Sequence, residues 1–378
     1  MAVFFTCPAN VIRKGPFPCY MTTPLTPLPL PPSVALETPE VLRQLTRSHR
    51  QLAELKGVVG TIPNESILID TLALQEAKDS SEIENIVTTE DELFQGDATT
   101  APFSSLAAKE VHRYAAALKL GFARVREQRF LRLDDVLAIQ ATLLESRAGL
   151  RTLPGTVLRN QESTAVIYTP PQEGDEIARL MGNFLEHFHA DDEAGGLDPL
   201  VRMAVLHHQF ESIHPFYDGN GRTGRILNLL HLVLHGLLDL PVLYLSRYIV
   251  RNKAAYYHHL QTVRDTGAWL AWVLYLLKAV EETARQTIAQ VHGIRDLMQS
   301  TKHRLRSELP RVYSQDLLNN LFRHPYTKID LIERDLEVSR PTAVRYLEQL
   351  TKGNFVKKVK LGRTNFYINE PLFKLLSA

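Results

Sequence analysis

The sequence contains little cysteine: Cys7 and Cys19 are the only two in 378 residues, and both lie near the N-terminus. This excludes a disulfide scaffold and a cysteine-based zinc site, and it is typical of a reducing cytosol. No apolar run reaches the length needed to span a bilayer. The opening residues MAVFF form too short an apolar block for a signal peptide, and no basic segment precedes them. We therefore expect a cytoplasmic protein with no membrane partner.

A strong net charge is also absent, since 43 Lys and Arg balance 42 Asp and Glu to a formal charge of +1. This argues against a partner that is recognised by overall charge. The charge is uneven, however, because residues 301–378 hold 15 Lys and Arg against 8 Asp and Glu. The composition is otherwise ordinary for a globular protein, and the length predicts two or three domains.

One twelve-residue stretch carries most of the recognisable chemistry. From His214 to Arg225 it reads His-Pro-Phe-Tyr-Asp-Gly-Asn-Gly-Arg-Thr-Gly-Arg, with apolar helical pattern on both sides. This predicts a tight loop that opens directly into a second buried helix. Glycines leave backbone N–H groups available to an anion, and a helix N-terminus adds partial positive charge. Because Arg222 shares a helix face with Arg225, the stretch predicts a polyphosphate site with a histidine at its edge.

The remaining pattern predicts a mainly α-helical chain. Residues 1–21 are expected to be a disordered leader, and the proline-rich residues 22–34 are expected to be extended. Apolar periodicity predicts helices at about residues 38–55, 66–86, 105–126, 133–146, 175–189, 200–213, 226–240, 246–264 and 268–292. The β-branched and aromatic segment 164–169 predicts one arm of a short hairpin.

The character of the sequence changes after Leu305. Short helices are predicted within residues 317–322, 328–336 and 340–352, followed by alternating strands at 355–360 and 364–368. Helix, helix, turn, helix and hairpin is the order of a winged helix-turn-helix domain.

The stretch from His214 to Arg225 matches HxFx(D/E)GNGRxxR at every defined position, so the chain resembles the Fic/DOC family of protein adenylyltransferases. The likeness extends over about residues 25–295, through Ser-Ser-x-Ile-Glu at 80–84, Leu-Arg-x-Leu-Pro-Gly at 150–155 and Asn-Lys-x-x-Tyr-Tyr at 252–257. It implies a Fic-type helical core with a small β-hairpin flap and a C-terminal winged helix. The expected domains are an N-terminal arm and inhibitory-helix region (22–104), a catalytic core (105–295) and a winged helix (301–378).

The resemblance implies a transferase that moves AMP from ATP to a Ser, Thr or Tyr hydroxyl of a protein, which could be the enzyme itself. His214 would be the general base, and a neutral imidazole with a pKa near its ordinary value would suit that role. Asp218 would hold Mg²⁺, because a hard oxygen ligand suits this ion. Phe216 would point into the core. The expected ATP-binding residues are Gly219, Asn220, Gly221, Arg222, Thr223, Gly224 and Arg225, with Asn252 and Tyr257 on the adenine side.

Arg222 bears on the type of reaction, and Tyr257 has a second possible role. The relative that phosphorylates its target has Lys where this chain has Arg222, so arginine favours AMP transfer. For Tyr257, a role in the core fits the sequence as well as one beside adenine.

The segment from Ser80 to Asn85 fits the inhibitory motif (S/T)xxxE(G/N) of the family. By that resemblance Glu84 would pair with Arg225 and deny this arginine to the γ-phosphate, because a carboxylate and a phosphate compete for the same guanidinium fork. Taken alone, the segment also fits a solvated helix end with Asn85 as its C-cap.

Other interpretations concern the C-terminal region and a group of histidines. A DNA-binding regulator is the alternative function, based on a basic recognition helix and wing that contain Arg340, Arg345, Lys357, Lys358, Lys360 and Arg363. The resemblance also makes a homodimer plausible. A metal cluster at His207, His208, His231 and His235 is less favoured than helix packing, because no carboxylate or cysteine completes it.

Overall fold

The computed structural model describes residues 4–5, 30, 32, 34–97, 103, 105–160, 165–190, 196–361 and 364–377. Its helices are α1 (Pro39–Val59), α2 (Glu65–Ile83), α3 (Glu90–Asp97), α4 (Leu106–Gln128), α5 (Leu133–Leu144), α6 (Gly174–Phe188), α7 (Pro199–Ile213), α8 (Asn220–Leu234), α9 (Leu245–Arg251), α10 (Lys253–Thr266), α11 (Trp269–Glu308), α12 (Gln315–Arg323), α13 (Ile329–Leu336), α14 (Arg340–Lys352) and α15 (Glu370–Leu376). Its strands are β1 (Phe4–Phe5), β2 (Leu158–Asn160), β3 (Val166–Tyr168), β4 (Tyr326–Thr327), β5 (Lys357–Leu361) and β6 (Thr364–Ile368). The predicted mainly α-helical class is confirmed.

Three predicted helices have wrong boundaries. The helix predicted at 226–240 is α8, which begins at Asn220 and ends at Leu234. The helix predicted at 246–264 is divided into α9 and α10, because Asn252 leaves the helical region and its side-chain amide donates to the Tyr248 carbonyl at 2.9 Å. The helix predicted to end at residue 292 continues as α11 to Glu308. Its apolar period is carried on by Ile294 and Leu305, which are both fully buried.

The chain divides into two units. The first contains Met1–Leu52, Ala116–Pro241 and Leu245–Glu282. Its centre is the pair α7 and α8, and every residue of α7 from Leu200 to Ile213 is buried. Trp272 of α11 reaches this centre and donates its indole N–H to the Ala204 carbonyl at 2.8 Å. The carboxyl end of α7 and the start of α8 therefore lie in the buried centre of this unit.

A small sheet, ordered β1-β2-β3, belongs to the first unit. Strands β2 and β3 pair antiparallel and form the predicted hairpin, although Thr164 lies outside the described residues. Strand β1 pairs parallel with β2, which differs from the disordered leader expected at residues 1–21, most of which the structure does not describe. Short-range periodicity could not show a backbone pairing between residues so far apart in sequence.

The second unit contains Ala53–Ala115, Val242–Tyr244 and Thr283–Ala378. Within it α2 packs against α12, and the Arg323 guanidinium donates to the Asp70 carboxylate. The Gln75 side chain donates to the Leu376 carbonyl and accepts from Gln290 at 3.1 Å. These contacts place α2 in one core with the C-terminal helices, whereas the sequence predicted separate, consecutive domains.

The C-terminal elements follow the predicted order of helices and hairpin, with two additions. Strand β4 precedes α13 and completes a three-stranded sheet in the order β4-β6-β5, and α15 follows the hairpin. The turn residues 362 and 363 lie outside the described residues. Among the described helices, none is both long enough and apolar enough to cross a bilayer.

Candidate active site

His214 lies at the carboxyl end of α7 in the left-handed conformation, with φ 49° and ψ 57°. Its N–H donates to the Phe210 carbonyl at 2.9 Å and closes the last turn of the helix. The imidazole is 2% exposed, and neither ring nitrogen has a hydrogen-bond partner among the described residues.

The loop after His214 is fixed by its own side chains. Phe216 is fully buried, as predicted. The Asn220 side chain accepts from the Phe216 N–H and donates to the Phe216 carbonyl, each at 2.8 Å. The Tyr217 hydroxyl accepts from the backbone N–H groups of Thr152 and Leu153, each at 3.2 Å. The turn is therefore held on both sides by contacts within the protein.

Helix α8 begins at Asn220, so the predicted loop opens directly into the second helix. Gly219 precedes it with φ 77°, where a side chain would be strained. The first helical hydrogen bond of α8 is donated by the Thr223 N–H to the Gly219 carbonyl at 2.9 Å. The N–H groups before Thr223 lack helical acceptors, and such groups at the positive end of a helix are suited to an anion.

The cationic residues Arg222 and Arg225 lie in the first turns of α8, and each is 2% exposed. Gly224 lets α8 approach α7 closely, since a Cβ here would meet Phe210 and Glu211 side-chain atoms at 3.1 Å. Arginine charge and helix dipole thus act in the same direction on an anion at this helix end.

Asp218 is the only carboxylate of the loop, and its side chain is 54% exposed. One of its oxygens accepts from the Gly219 N–H at 2.7 Å and lies 3.9 Å from an Arg222 nitrogen. A single half-exposed carboxylate beside a phosphate site fits Mg²⁺, which is commonly held by one or two carboxylates together with substrate phosphates.

The expectation of an ordinary pKa for His214 is wrong. Burial, with the positive charges of Arg151 and Arg264, lowers the pKa of this imidazole to about 3. The effect needs the folded environment, because both arginines are distant from His214 in sequence. His214 is therefore neutral throughout the physiological pH range.

Three residues around His214 were not assigned from the sequence. Arg151 is fully buried and donates to the His214 carbonyl at 2.7 Å. Tyr168 and Arg264 donate to Ser212, the former to its carbonyl and the latter to its hydroxyl. The Leu-Arg-x-Leu-Pro-Gly segment contained Arg151 but gave no indication of which atoms it contacts.

Four predicted site residues lie away from the loop in sequence. Asn252 bonds within the junction of α9 and α10, and the Tyr257 ring packs edge-on against Tyr256. In the second unit, Ser80 is fully buried and Glu84 is the C-cap of α2. Asn85, expected as the C-cap, lies one residue beyond it and has the left-handed φ of 63° that commonly ends a helix.

The four histidines considered for a metal cluster have separate partners. His207 bonds the Tyr256 hydroxyl at 2.9 Å and His208 the Leu260 carbonyl at 3.2 Å. His231 and His235 bond the carbonyls of Pro199 and Phe188. The structure thus packs these side chains between helices.

Acid should destabilise the fold, because burial lowers the pKa of His207, like that of His214, to about 3. The unfolded chain binds these two protons below pH 6.5 and the folded chain does not, so stability falls as pH decreases. We expect a loss of about 1.4 kcal/mol per histidine at pH 5.5 relative to pH 7.5. Thermal melts between pH 7.5 and 5 measure this, and His214→Gln should reduce the slope. His303→Gln, at an exposed position, is the control; equal slopes for the two variants would contradict the prediction.

Cations proposed for DNA contact are engaged within the C-terminal region. Arg340 pairs with Asp330 at 2.9 Å and with Glu333 at 3.1 Å. Lys357 pairs with Glu370 at 2.8 Å. Arg345 and Lys358 lie over Tyr346 and Tyr367, and Arg363 is outside the described residues. DNA binding is not supported as the function of this protein.

The three parts of the chain match three family models. Residues 42–123 match the Fic/DOC family N-terminal model, and residues 130–232 match the Fic/DOC family model. Together with a C-terminal match these cover most of the chain, which belongs to the Fic/DOC family. The C-terminal match, over residues 297–372, is to the model named protein adenylyltransferase SoFic-like, C-terminal domain.

Curated relatives agree with this assignment, and a solved structure shares the fold. The chain is similar to proteins named protein adenylyltransferase Fic from Drosophila mojavensis (28% identity over 167 residues) and Aedes aegypti (30% over 169 residues). Each alignment covers 44% of this chain, and it spans 31% and 32% of those relatives' own lengths. A Fic family protein from Desulfovibrio desulfuricans G20 shares the fold, with a TM-score of 0.57, 19% identity, and coverage of 90% of this chain and 98% of that one.

Proposed function

We propose that this protein is an adenylyltransferase that moves AMP from ATP to a Ser, Thr or Tyr hydroxyl of a protein. The observation that carries the proposal is the buried, neutral His214 directly before the anion-binding start of α8. A proton acceptor and a phosphate cradle on one rigid loop are what transfer to a hydroxyl needs. The names of the relatives, which say protein adenylyltransferase, support the same reaction class.

In this mechanism His214 accepts the proton of the attacking hydroxyl through a ring nitrogen. The hydroxyl oxygen forms a bond to the α-phosphorus of ATP, the bond to the bridging oxygen breaks, and pyrophosphate leaves. Arg222 and the N–H groups at the start of α8 stabilise the charge on the leaving phosphates, and Arg225 binds the γ-phosphate. Gly219, Gly221, Thr223 and Gly224 shape this cradle, with Asn252 and Tyr257 assigned to the adenine side.

Asp218 would hold Mg²⁺ in this site, and the ion would offset negative charge on the phosphates. The side chain of Asn220 keeps the Asp218 segment in place through its two bonds to Phe216. A cytoplasmic location, a homodimer and self-modification remain expectations from the sequence and the family.

We further propose that the enzyme is autoinhibited through the segment from Ser80 to Asn85. Glu84 would compete with the γ-phosphate for Arg225, because both are anions that fit a guanidinium fork. Ser80 is fully buried and Glu84 ends a helix whose polar side chains are largely buried, which supports a fixed position for this motif.

Two labelled forms of ATP test the reaction, using the Glu84→Gly chain and a cell lysate as source of target. AMP transfer should place label from α-labelled ATP on protein and none from γ-labelled ATP. Transfer of the γ label alone would indicate phosphorylation and contradict the proposal. Arg222→Lys is the informative companion, since lysine stands at this position in the phosphorylating relative; chelating Mg²⁺ should suppress labelling in both.

A further inference from the structure

The last turn of α7 is closed by three side chains from other segments. Arg264 donates to the Glu211 carbonyl at 3.1 Å, and the Tyr168 hydroxyl donates to the Ser212 carbonyl at 2.9 Å. Arg151 donates to the carbonyls of residues 213 and 214, at 3.3 and 2.7 Å. The N–H of Arg151 donates to the carbonyl of residue 215 at 2.8 Å. Five successive carbonyls that a helix end leaves without helical partners are thus satisfied.

Arg151 also contacts the segment that follows the flap, which is the hairpin β2–β3. The same nitrogen that donates to residue 213 donates to the Pro171 carbonyl at 2.9 Å. The side chain is fully buried, so its planar fork holds both segments at one fixed spacing. Tyr168 of β3 makes a second link between the same two segments.

We propose that Arg151 is a positioning residue that couples the flap to the general base His214, with Tyr168 as the second link. The inference rests on the proposed adenylyltransferase function. A protein target paired with the flap would then set the position of the base that receives its proton. His214 is held in the left-handed region, which is unfavourable for residues with a side chain, and the bonds of Arg151 to its carbonyl and its neighbours maintain that geometry.

The positive charge of Arg151 affects the pH profile of the reaction, which can be measured separately from kcat. Arg151 and Arg264 are the charged groups that act on the His214 imidazole, and both lower its pKa together with burial. Loss of one positive charge raises this pKa, so the base becomes protonated, and inactive, at a higher pH. A residue that merely filled space would not move this acidic limb of the pH profile.

The test compares variants in the Glu84→Gly chain. Arg151→Met should lower kcat about 100-fold, because small displacements of a reacting group have effects of that size. The KM for ATP should stay within about threefold, since the cradle on α8 is untouched. The acidic limb should move to higher pH in Arg151→Met and stay in place in Arg151→Lys, which should recover part of kcat. Tyr168→Phe should lower kcat less, and Arg147→Met, an exposed position in the same loop, is the control with parental activity.

Several outcomes would overturn the inference. A kcat for Arg151→Met equal to that of the parent would do so. So would equal losses of kcat in Arg151→Met and Arg151→Lys, if the acidic limb of the pH profile also stays in place in both. If Arg151→Met loses its cooperative thermal transition, it is no longer folded, and the test depends on Arg151→Lys and Tyr168→Phe. A kcat equal to that of the parent in both of these variants would contradict the proposed coupling of the flap to His214. Absence of α-label transfer by the Glu84→Gly parent is the separate failure of the proposed function.

Discussion

AMP transfer is expected to fall about 100- to 10,000-fold when His214 is replaced by alanine in the Glu84→Gly chain, the range typical of a lost general base. The reason is geometric, because His214 is buried with both ring nitrogens unbonded among the described residues. Burial, helped by the positive charges of Arg151 and Arg264, keeps the imidazole neutral. Incorporation of α-labelled AMP into protein is the measurement.

The control for this experiment is His258→Ala, an exposed histidine on α10, which should retain full transfer. ATP binding by the His214→Ala chain should persist, because the cradle on α8 keeps its residues. Transfer within about tenfold of the parent would remove His214 from the role of base.

Removal of the Glu84 carboxylate is expected to raise AMP transfer about 10- to 100-fold over the unmodified chain. A charge-assisted hydrogen bond contributes about 1.5–3 kcal/mol, which corresponds to a change of this order in the accessible fraction of Arg225. Glu84→Gly and the unmodified chain are compared at equal concentration with α-labelled ATP. Labelling equal to or below that of the unmodified chain would contradict the autoinhibition proposal.

Two further variants separate charge from helix geometry. Glu84→Gln keeps the shape and removes the charge, so it should also activate. Glu82→Gly places glycine in the last turn of α2, where it weakens the helix at least as much as glycine at the C-cap Glu84, but it leaves Glu84 unchanged. Activation by Glu82→Gly would mean that a loosened helix end, and not the lost carboxylate, relieves the inhibition.

The loop from His214 to Arg225 could be predicted in detail because its information is local. Twelve contiguous residues specify the end of α7, the turn and the start of α8, and the burial of Phe216 followed from the same pattern. The partners of the loop could not be predicted in this way. Arg151 and Arg264 reach residues 211–215 from about 50 to 60 positions away in sequence. The low pKa of His214 depends first on burial and then on the charges of these two arginines.

The fold shows the same division between local and distant information. Periodicity predicted most helices, but the break at Asn252 depends on one side-chain bond to Tyr248, which apolar spacing does not reveal. Strands of two residues carry too little pattern to be identified, and β1 and β4 are of this kind. Membership of α2 in one unit with the C-terminal helices arises from contacts such as Asp70 with Arg323.

The attachment of α2 to C-terminal residues changes the expected effect of truncating mutations. A stop codon before residue 323 would remove Arg323, which bonds Asp70, and Leu376, which bonds Gln75. It would leave the codons of α7 and α8 intact. Truncation is normally assumed to inactivate an enzyme. If α2 restrains this one, the truncated allele would behave as a dominant gain-of-activity mutation, and selection would act to retain the C-terminal region even where it binds nothing.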